Sequence, residues 1–464
     1  MVLQETLNFL AGKMKFISLV LVAVSLRPAL AQSPGSGPLT LQEAVTVALK
    51  NNPTVKAAGA YAEAVQHGIA EAKASRYPHF DFSEAFTRGN NPVYVFGSLL
   101  TQRQFTASDF ALNALNAPLP LDNFLTQFTG SVPLYDGGQI SRRIRDARLQ
   151  AEMVLKRRQR TQQEVIFQVI EAYTRFLLAQ ESVRVAKASV AMTKSDLHRA
   201  QARLQQGIAV SSDVLSAQVQ LAQAEEDLLS AQNSESVAHA ALNVAMGLAE
   251  DAPSRIAGRL SETQFPAGEL AERDQAALRL RPDLAGAQLG QQRATNAAGL
   301  ARAAFFPQIS LFSSWETANQ TFAGLGGHNW TAGATLTFNI FDGGRNAARL
   351  AAAHAKQRQA ADELSSLIAS VRLQVREAYS NLVTAGKRIE VARAAVSQAR
   401  DSLRILQNRY DAGLITITDL LQAETARTRA EENYSNAIFD YRVSYAALEL
   451  ATGQLSPDSV AVTQ

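Results

Sequence analysis

Two aspartates, Asp213 and Asp419, stand at matching places in a repeated stretch of this sequence. Their place in the sequence is that of a helix start. Each follows a short turn after a glycine, Gly207 or Gly413, and each comes directly after a hydroxyl residue, Ser212 or Thr418. Ser or Thr before a new periodic run reads as a helix start, and a carboxylate there favours the positive end of the helix dipole. Other chemistries lack residues. The chain has no cysteine, which removes a disulfide framework, thiolate metal sites, lipid attachment on cysteine and a thiol nucleophile. The six histidines, at 67, 79, 198, 239, 328 and 354, are scattered, with no pair at metal-ligand spacing. No phosphate-binding glycine loop is present. No enzyme, metal site or cofactor site emerges. The 464 residues include 45 basic and 42 acidic ones, for a formal charge of +3. The charges are interspersed, which describes a solvated face rather than a nucleic-acid surface.

The elements that position the two aspartates are repeated without gaps. Gly207 matches Gly413, Asp213 matches Asp419, Leu215 matches Leu421 and Gly247 matches Gly453, each pair 206 positions apart. A register held from Arg203–Gly247 to Arg409–Gly453 means duplication, and internal repeats decide a fold. Within each copy, a glycine after a helical pattern stops one helix and the Asp region starts the next. Each copy is therefore a helical hairpin. Along its returning arm a small residue recurs every seven positions: Ala217, Ala224, Ala231, Ala238 and Ala245 in one copy, and Ala423, Ala430, Ala437, Ser444 and Ala451 in the other. A seven-residue period marks a coiled-coil seam. So thin a seam must pack against neighbours on more than one side, which favours an assembly.

The outgoing arms are very long. The stretches from Gln139 to Gln206 and from Arg345 to Ala412 contain no proline. At 1.5 Å per residue each spans roughly 100 Å, far beyond the needs of a globular core. Each follows an Asp-Gly-Gly triplet, 136–138 and 342–344. Before each triplet lie alternating strands: Phe80, Phe82 and Phe86; Phe124, Phe128, Val132 and Leu134; Ile309, Leu311 and Trp315; and Trp330, Leu336, Phe338 and Ile340. Tyr77-Pro78 and Phe306-Pro307 open the first and third. Four strands cannot close a barrel in lipid, where every backbone group needs a partner. Either they form a small soluble sheet, or several chains pool them. The first strand connection is 23 residues longer than the second. Its residues 90–123 are unusually apolar, and either pack on themselves or the strand rim or form a lid or surface-binding loop.

At the N-terminus, Lys13 and Lys15 precede a short apolar run, Phe16 to Leu26, and then Ala29-Leu30-Ala31. This reads as a secretory signal with an A-x-A cleavage site; a retained anchor is the alternative, and either Met1 or Met14 is the start. A Ser/Gly/Pro linker follows, and Thr40 with Glu43 predicts a capping box. The division is a signal at 1–31, a linker at 32–38, a first repeat at 39–249, an inter-repeat segment at 250–270, a second repeat at 271–453 and a tail at 454–464.

The signal, the duplicated helix–strand–strand–long helix–helix order, Tyr-Pro and Phe-Pro before strands and Asp-Gly-Gly after them together resemble the TolC family of outer-membrane efflux proteins, over about Leu39 to Gly453. The resemblance implies an α+β membrane protein. Three chains pool four strands each into one transmembrane β-barrel, which continues into a long periplasmic α-helical tunnel. It implies a homotrimer in the outer membrane of a Gram-negative-type bacterium, with a periplasmic adaptor and an inner-membrane pump, proton-driven or ATP-driven, as partners. It implies that the tips constrict the tunnel, with Asp213 and Asp419 supplying six carboxylates per trimer. Tyr410 matches a family tyrosine that bonds to the first-repeat Asp, here Asp213. Gly207, Ile208, Gly413 and Leu414 match the tips where adaptors dock. Two positions depart from the prototype: its second acidic residue is Gln422 here, and its tip arginine is Ile415, so an ionic latch lacks its partners. The function implied is export, of small molecules or, alternatively, of proteins by type I secretion. A periplasmic coiled-coil structural protein is the reading from a different class.

Overall fold

The computed structural model describes residues 38–322, 324 and 326–464. The expected signal at 1–31 and nearly all of the expected linker at 32–38 lie outside the described residues. Residues Leu39–Gln464 form one compact unit.

The first repeat opens with α1 (Leu41–Asn51), closed by the Thr40–Glu43 capping box, and α2 (Pro53–Ala74). Proline suits the first position of α2, where its missing N–H has no helical partner to lose. β1 (His79–Gly89) follows. The long connection carries α3 (Pro92–Thr101), a 3-10 turn at Ala107–Phe110 and α4 (Leu112–Asn116) before β2 (Leu121–Tyr135). The hairpin is α5 (Gln139–Gln205) and α6 (Ser211–Ala245). The second repeat runs α7 (Leu270–Leu280), α8 (Pro282–Ala303), β3 (Gln308–Asn319), β4 (Gly327–Thr337), α9 (Arg345–Asp411) and α10 (Ile417–Thr452). A short α11 (Val460–Thr463) ends the chain. Both outgoing rods are 67 residues long.

The aspartate of each Asp-Gly-Gly triplet starts its rod. Asp136 Oδ1 accepts from the Gly138 N–H at 2.9 Å, and Oδ2 accepts from the Ile140 N–H. Asp342 does the same for Gly344 at 3.1 Å and Asn346 at 2.9 Å. Each carboxylate thus satisfies donors that the helix itself leaves unpaired.

The four strands form one antiparallel sheet in the order β1-β2-β3-β4. The register brings Phe82, Phe128, Trp315 and Trp330 into one row across all four strands. Ring centroids lie 5.1 Å apart for Phe82–Phe128 and 5.8 Å for Phe128–Trp315. The same face carries Phe80, Phe86 and Leu336, all exposed. The other face carries Asp81, Thr129, Ser314 and Thr331. A slip of one residue would exchange the two faces, so the aromatic row pins the register. β4 ends at Thr337, short of Phe338 and Ile340, which the alternation places in the strand. β1 and β4 are edges, each with one row of backbone groups unpaired among the described residues. No described helix is long and apolar enough to cross a membrane.

The extra connection packs rather than standing free. Phe96, Phe105 and Phe110 meet edge to face at 5.0 Å each. Gln102 Nε2 donates to Asp122 O at 3.0 Å, and Arg103 Nη2 donates to His328 O at 2.9 Å, tying the segment to the rim of the sheet.

The main core lies midway along the rods. Val169, Ile170 and Leu177 of α5 pack with Val45 of α1, Leu242 and Met246 at the end of α6, Leu382 of α9 and Leu448 of α10. Phe265, from the inter-repeat segment, stacks on Tyr445 at 4.3 Å, and Leu455, Ala461 and Val462 join the same cluster. The heptad seam is visible as burial: Ala217, Ala224 and Ala238 on α6, and Ala423, Ala430 and Ala437 on α10.

Candidate functional site at the helical tips

Both tips are built the same way. Gly207, at φ +72°, lets its own N–H bond Leu204 O at 3.0 Å and the Ile208 N–H bond Arg203 O at 3.0 Å. Gly413, at φ +73°, repeats this with Tyr410 O and Arg409 O, each at 2.9 Å. The paired bonds are a Schellman turn, which takes up the last helical carbonyls and needs a left-handed residue at the glycine. The turns leave Ile208, Val210 and Leu414 exposed. An open groove of about 710 Å³ runs from here between α6 and α10, lined by Leu215 and Val219 on one side and Leu421 and Gln422 on the other.

The returning helices start slightly earlier than the sequence suggests, at Ser211 and Ile417. The two starts differ. Thr416 caps α10 in a full box: its hydroxyl donates to Asp419 Oδ2 at 2.7 Å, and the Asp419 N–H donates back to that hydroxyl at 3.3 Å. The Thr416 hydroxyl and backbone N–H hold the Asp419 carboxyl below its ordinary range, so it is ionised at neutral pH. Its side chain is exposed. Asp213 holds the matching position on α6, half-buried, but Val210 precedes the helix and offers no side-chain cap.

Tyr410 is 4% exposed, and its hydroxyl has no hydrogen-bond partner among the described residues. The bond to Asp213 that the resemblance implies is therefore not formed. Burial, with Asp213 nearby, pushes the phenol up, while Arg203 opposes. Arg203 supplies the contact instead. Its guanidinium lies 4.6 Å from the Tyr410 ring centroid, and its Nη1 donates to Tyr410 O at 2.5 Å. A cation over an aromatic face joins the end of α5 to the end of α9. Around this contact pack Ala200, Ala217, Leu403, Ile417, Leu420 and Leu421.

Sequence reasoning missed Arg203, and also a buried pair above the tips, Asp196 on α5 and Glu424 on α10. A signal existed for the pair. At the 206-residue offset Asp196 matches Ser402 and Glu424 matches Gln218, so each carboxyl departs from its own repeat.

With this geometry in view, comparison with known proteins gives a consistent answer. The family model described as outer membrane efflux protein matches residues 44–248 and 275–454. The alkaline protease secretion protein AprF of Pseudomonas aeruginosa is 27% identical over 434 residues, covering 90% of this chain and 85% of that one. The outer membrane protein TolC of Vibrio cholerae is 28% identical over 313 residues, covering 65% and 70%. The Campylobacter jejuni CmeC outer membrane channel superposes with a TM-score of 0.76 at 19% identity, covering 91% of this chain and 87% of that one. The chain belongs to the outer membrane efflux protein family. It is a channel subunit of a tripartite export system: a homotrimer in the outer membrane, its strands shared in one barrel and its helices forming a periplasmic tunnel, working with an adaptor and an inner-membrane pump.

Proposed function

We propose that this channel carries small molecules out of the periplasm, that its entrance lies at the helical tips, and that Asp213 and Asp419 line that entrance. The observation that carries the reading is the exposed, ionised Asp419 at the start of α10, with Asp213 at the matching place on α6. Three copies bring six carboxylates near one axis, where fixed negative charge attracts cations and repels anions. Asp419 Oδ2 also serves the helix cap, so the helix-start and aperture readings hold together. The exposed Ile208 and Leu414 beside Gly207 and Gly413 supply an apolar docking site for the adaptor, continued by the groove between α6 and α10. The chain divides into repeats at 39–249 and 271–453, joined by 250–270, and performs no catalysis.

Replacing both Asp213 and Asp419 with Ala is expected to raise conductance in planar bilayers and to weaken cation selectivity. Thr416→Val separates charge from capping, because it breaks the box and keeps the carboxylate. Unchanged conductance and selectivity in the double variant would place the constriction elsewhere.

A second reading of the cargo has one observation in its favour. The likeness to AprF, a protein named for protease secretion, runs over 90% of this chain. A deletion strain decides between them. Increased sensitivity to lipophilic dyes and drugs is the result expected for small-molecule efflux; loss of a protein from the culture medium with unchanged sensitivity would establish secretion.

A further inference from the structure

Roughly three helical turns above the tips, two carboxyl groups are buried together where the two hairpins meet. Asp196 of α5 is 0% exposed and Glu424 of α10 is 3% exposed. Arg199 Nη2 donates to Asp196 Oδ1. Among the described residues, Asp196 Oδ2 and both oxygens of Glu424 have no hydrogen-bond partner, nor do Nε of Arg199 and Nε of Arg427. Buried polar groups left unpaired are costly, and two facing carboxylates repel as well. A single proton resolves the conflict. Placed on Glu424, it makes a hydroxyl that donates to Asp196 Oδ2 and leaves one negative charge for the arginines to balance.

The surroundings support this state. Burial, and then the neighbouring Asp196, push the Glu424 carboxyl up, with Arg199 and Arg427 pulling the other way. From α9 the nearby groups are the Tyr410 hydroxyl, also without a partner, and Asp411, which acts on Arg199. From α6 the neighbour is the neutral Gln220, bonded to Thr425 beside Glu424 at 3.4 Å. At the tips themselves, Ile415 and Gln422 offer no ionic tie.

We propose that a single proton on Glu424, donated to Asp196, latches the first hairpin, α5–α6, to the second, α9–α10, so that losing the proton parts the hairpins and widens the tips. With both carboxyls ionised, two like charges would oppose each other across the α5–α10 joint, which favours its parting. The Arg203–Tyr410 contact crosses between the hairpins too, but arginine keeps its charge and does not titrate. The effect on the channel rests on the tips being the aperture.

Because the chain has no cysteine, spin labels can be placed cleanly. Gln201→Cys on α5 and Ala426→Cys on α10 are both exposed sites. In the detergent-purified full channel, the distance distribution between these labels is expected to shift outward as pH rises from about 6 to about 10. Glu424→Gln keeps a donor for Asp196 and cannot ionise, so its distribution should stay at the low-pH position throughout. Conductance of the unlabelled protein should rise by about twofold or more over the same range and stay flat in the Glu424→Gln variant. A pH response that survives Glu424→Gln, or distances that never move in the parent chain, would overturn the latch. Distances that move while conductance does not would keep the latch and sink the aperture reading instead.

Discussion

Gly247→Ala and Gly453→Ala are each expected to destabilise the protein by about 3 kcal/mol or more. Both glycines end a returning helix, at φ +73° and +75°, a conformation that disfavours a side chain. Space is the larger problem. A Cβ on Gly247 would lie 2.6 Å from the backbone N and Cα of Asn52, and one on Gly453 would lie 2.8 Å from the backbone N of Arg281. Backbone atoms at a packed joint cannot swing aside as a flexible side chain can. Asn52 and Arg281 precede Pro53 and Pro282, so the same joint is built twice: the end of a returning helix seated on an X-Pro step. Gly207→Ala is the control. It carries a similar φ, +72°, but a Cβ there meets nothing within 4 Å among the described residues, and its cost should be nearer 1 kcal/mol. Loss of helical circular dichroism on heating in detergent measures all three. Equal drops for Gly207→Ala and Gly247→Ala would show that the close approach is not what matters.

Arg281→Met is expected to cost about 3 kcal/mol, and Arg281→Lys to recover little of it. Arg281 is 3% exposed. Its Nε and Nη2 grip both oxygens of Asp283, at 3.0 and 2.5 Å, and its Nη1 donates to Gln374 Oε1 at 2.8 Å and Ala451 O at 3.2 Å. One side chain thus ties the start of α8 to α9 and to the end of α10. An ammonium on a shorter reach cannot reproduce that fork. The pair also sets an acid limit. Burial pushes the Asp283 carboxyl up, but Arg281, Arg160 and the Leu284 N–H outweigh it and hold the carboxyl below its ordinary value. A carboxyl lowered in the folded state contributes stability at pH above its unfolded pKa. That contribution is lost as pH falls through the folded value. Acid melting curves should therefore show a loss of stability below about pH 4 that is absent from Arg281→Met. A parallel loss in both proteins would assign the acid sensitivity to other groups.

What was legible in the sequence is what repeats locally. The rods were placed to within a residue because Asp-Gly-Gly and the tip glycines punctuate them through backbone geometry. The strands followed from a period of two, and the Thr40–Glu43 box from a spacing of three. What the sequence hid depends on distant partners. Asp196 and Glu424 each look like one more polar residue on a charged helix until α5 and α10 are laid together. Nothing local marks Arg203, near a helix end, as lying over Tyr410. The helices inside residues 90–123 were obscured by short runs with mixed signals; Phe96, Phe105 and Phe110 find one another only after the chain turns. The tyrosine–aspartate bond was expected by likeness alone, and the Tyr410 hydroxyl makes no such bond.

The order of the sheet has a consequence for how the molecule comes into being. The hairpins are made of contacts close in sequence, which form early, whereas joining β2 to β3 brings Phe124 beside Asn319, ~200 residues away, and such pairings are slow. When that seam has closed, β1 and β4 still present open edges, which a lone chain cannot satisfy. Maturation therefore finishes with an encounter between molecules, and its pace follows the number of chains waiting at the membrane. A scarcely expressed chain will complete its assembly slowly, however stable each subunit's interior is.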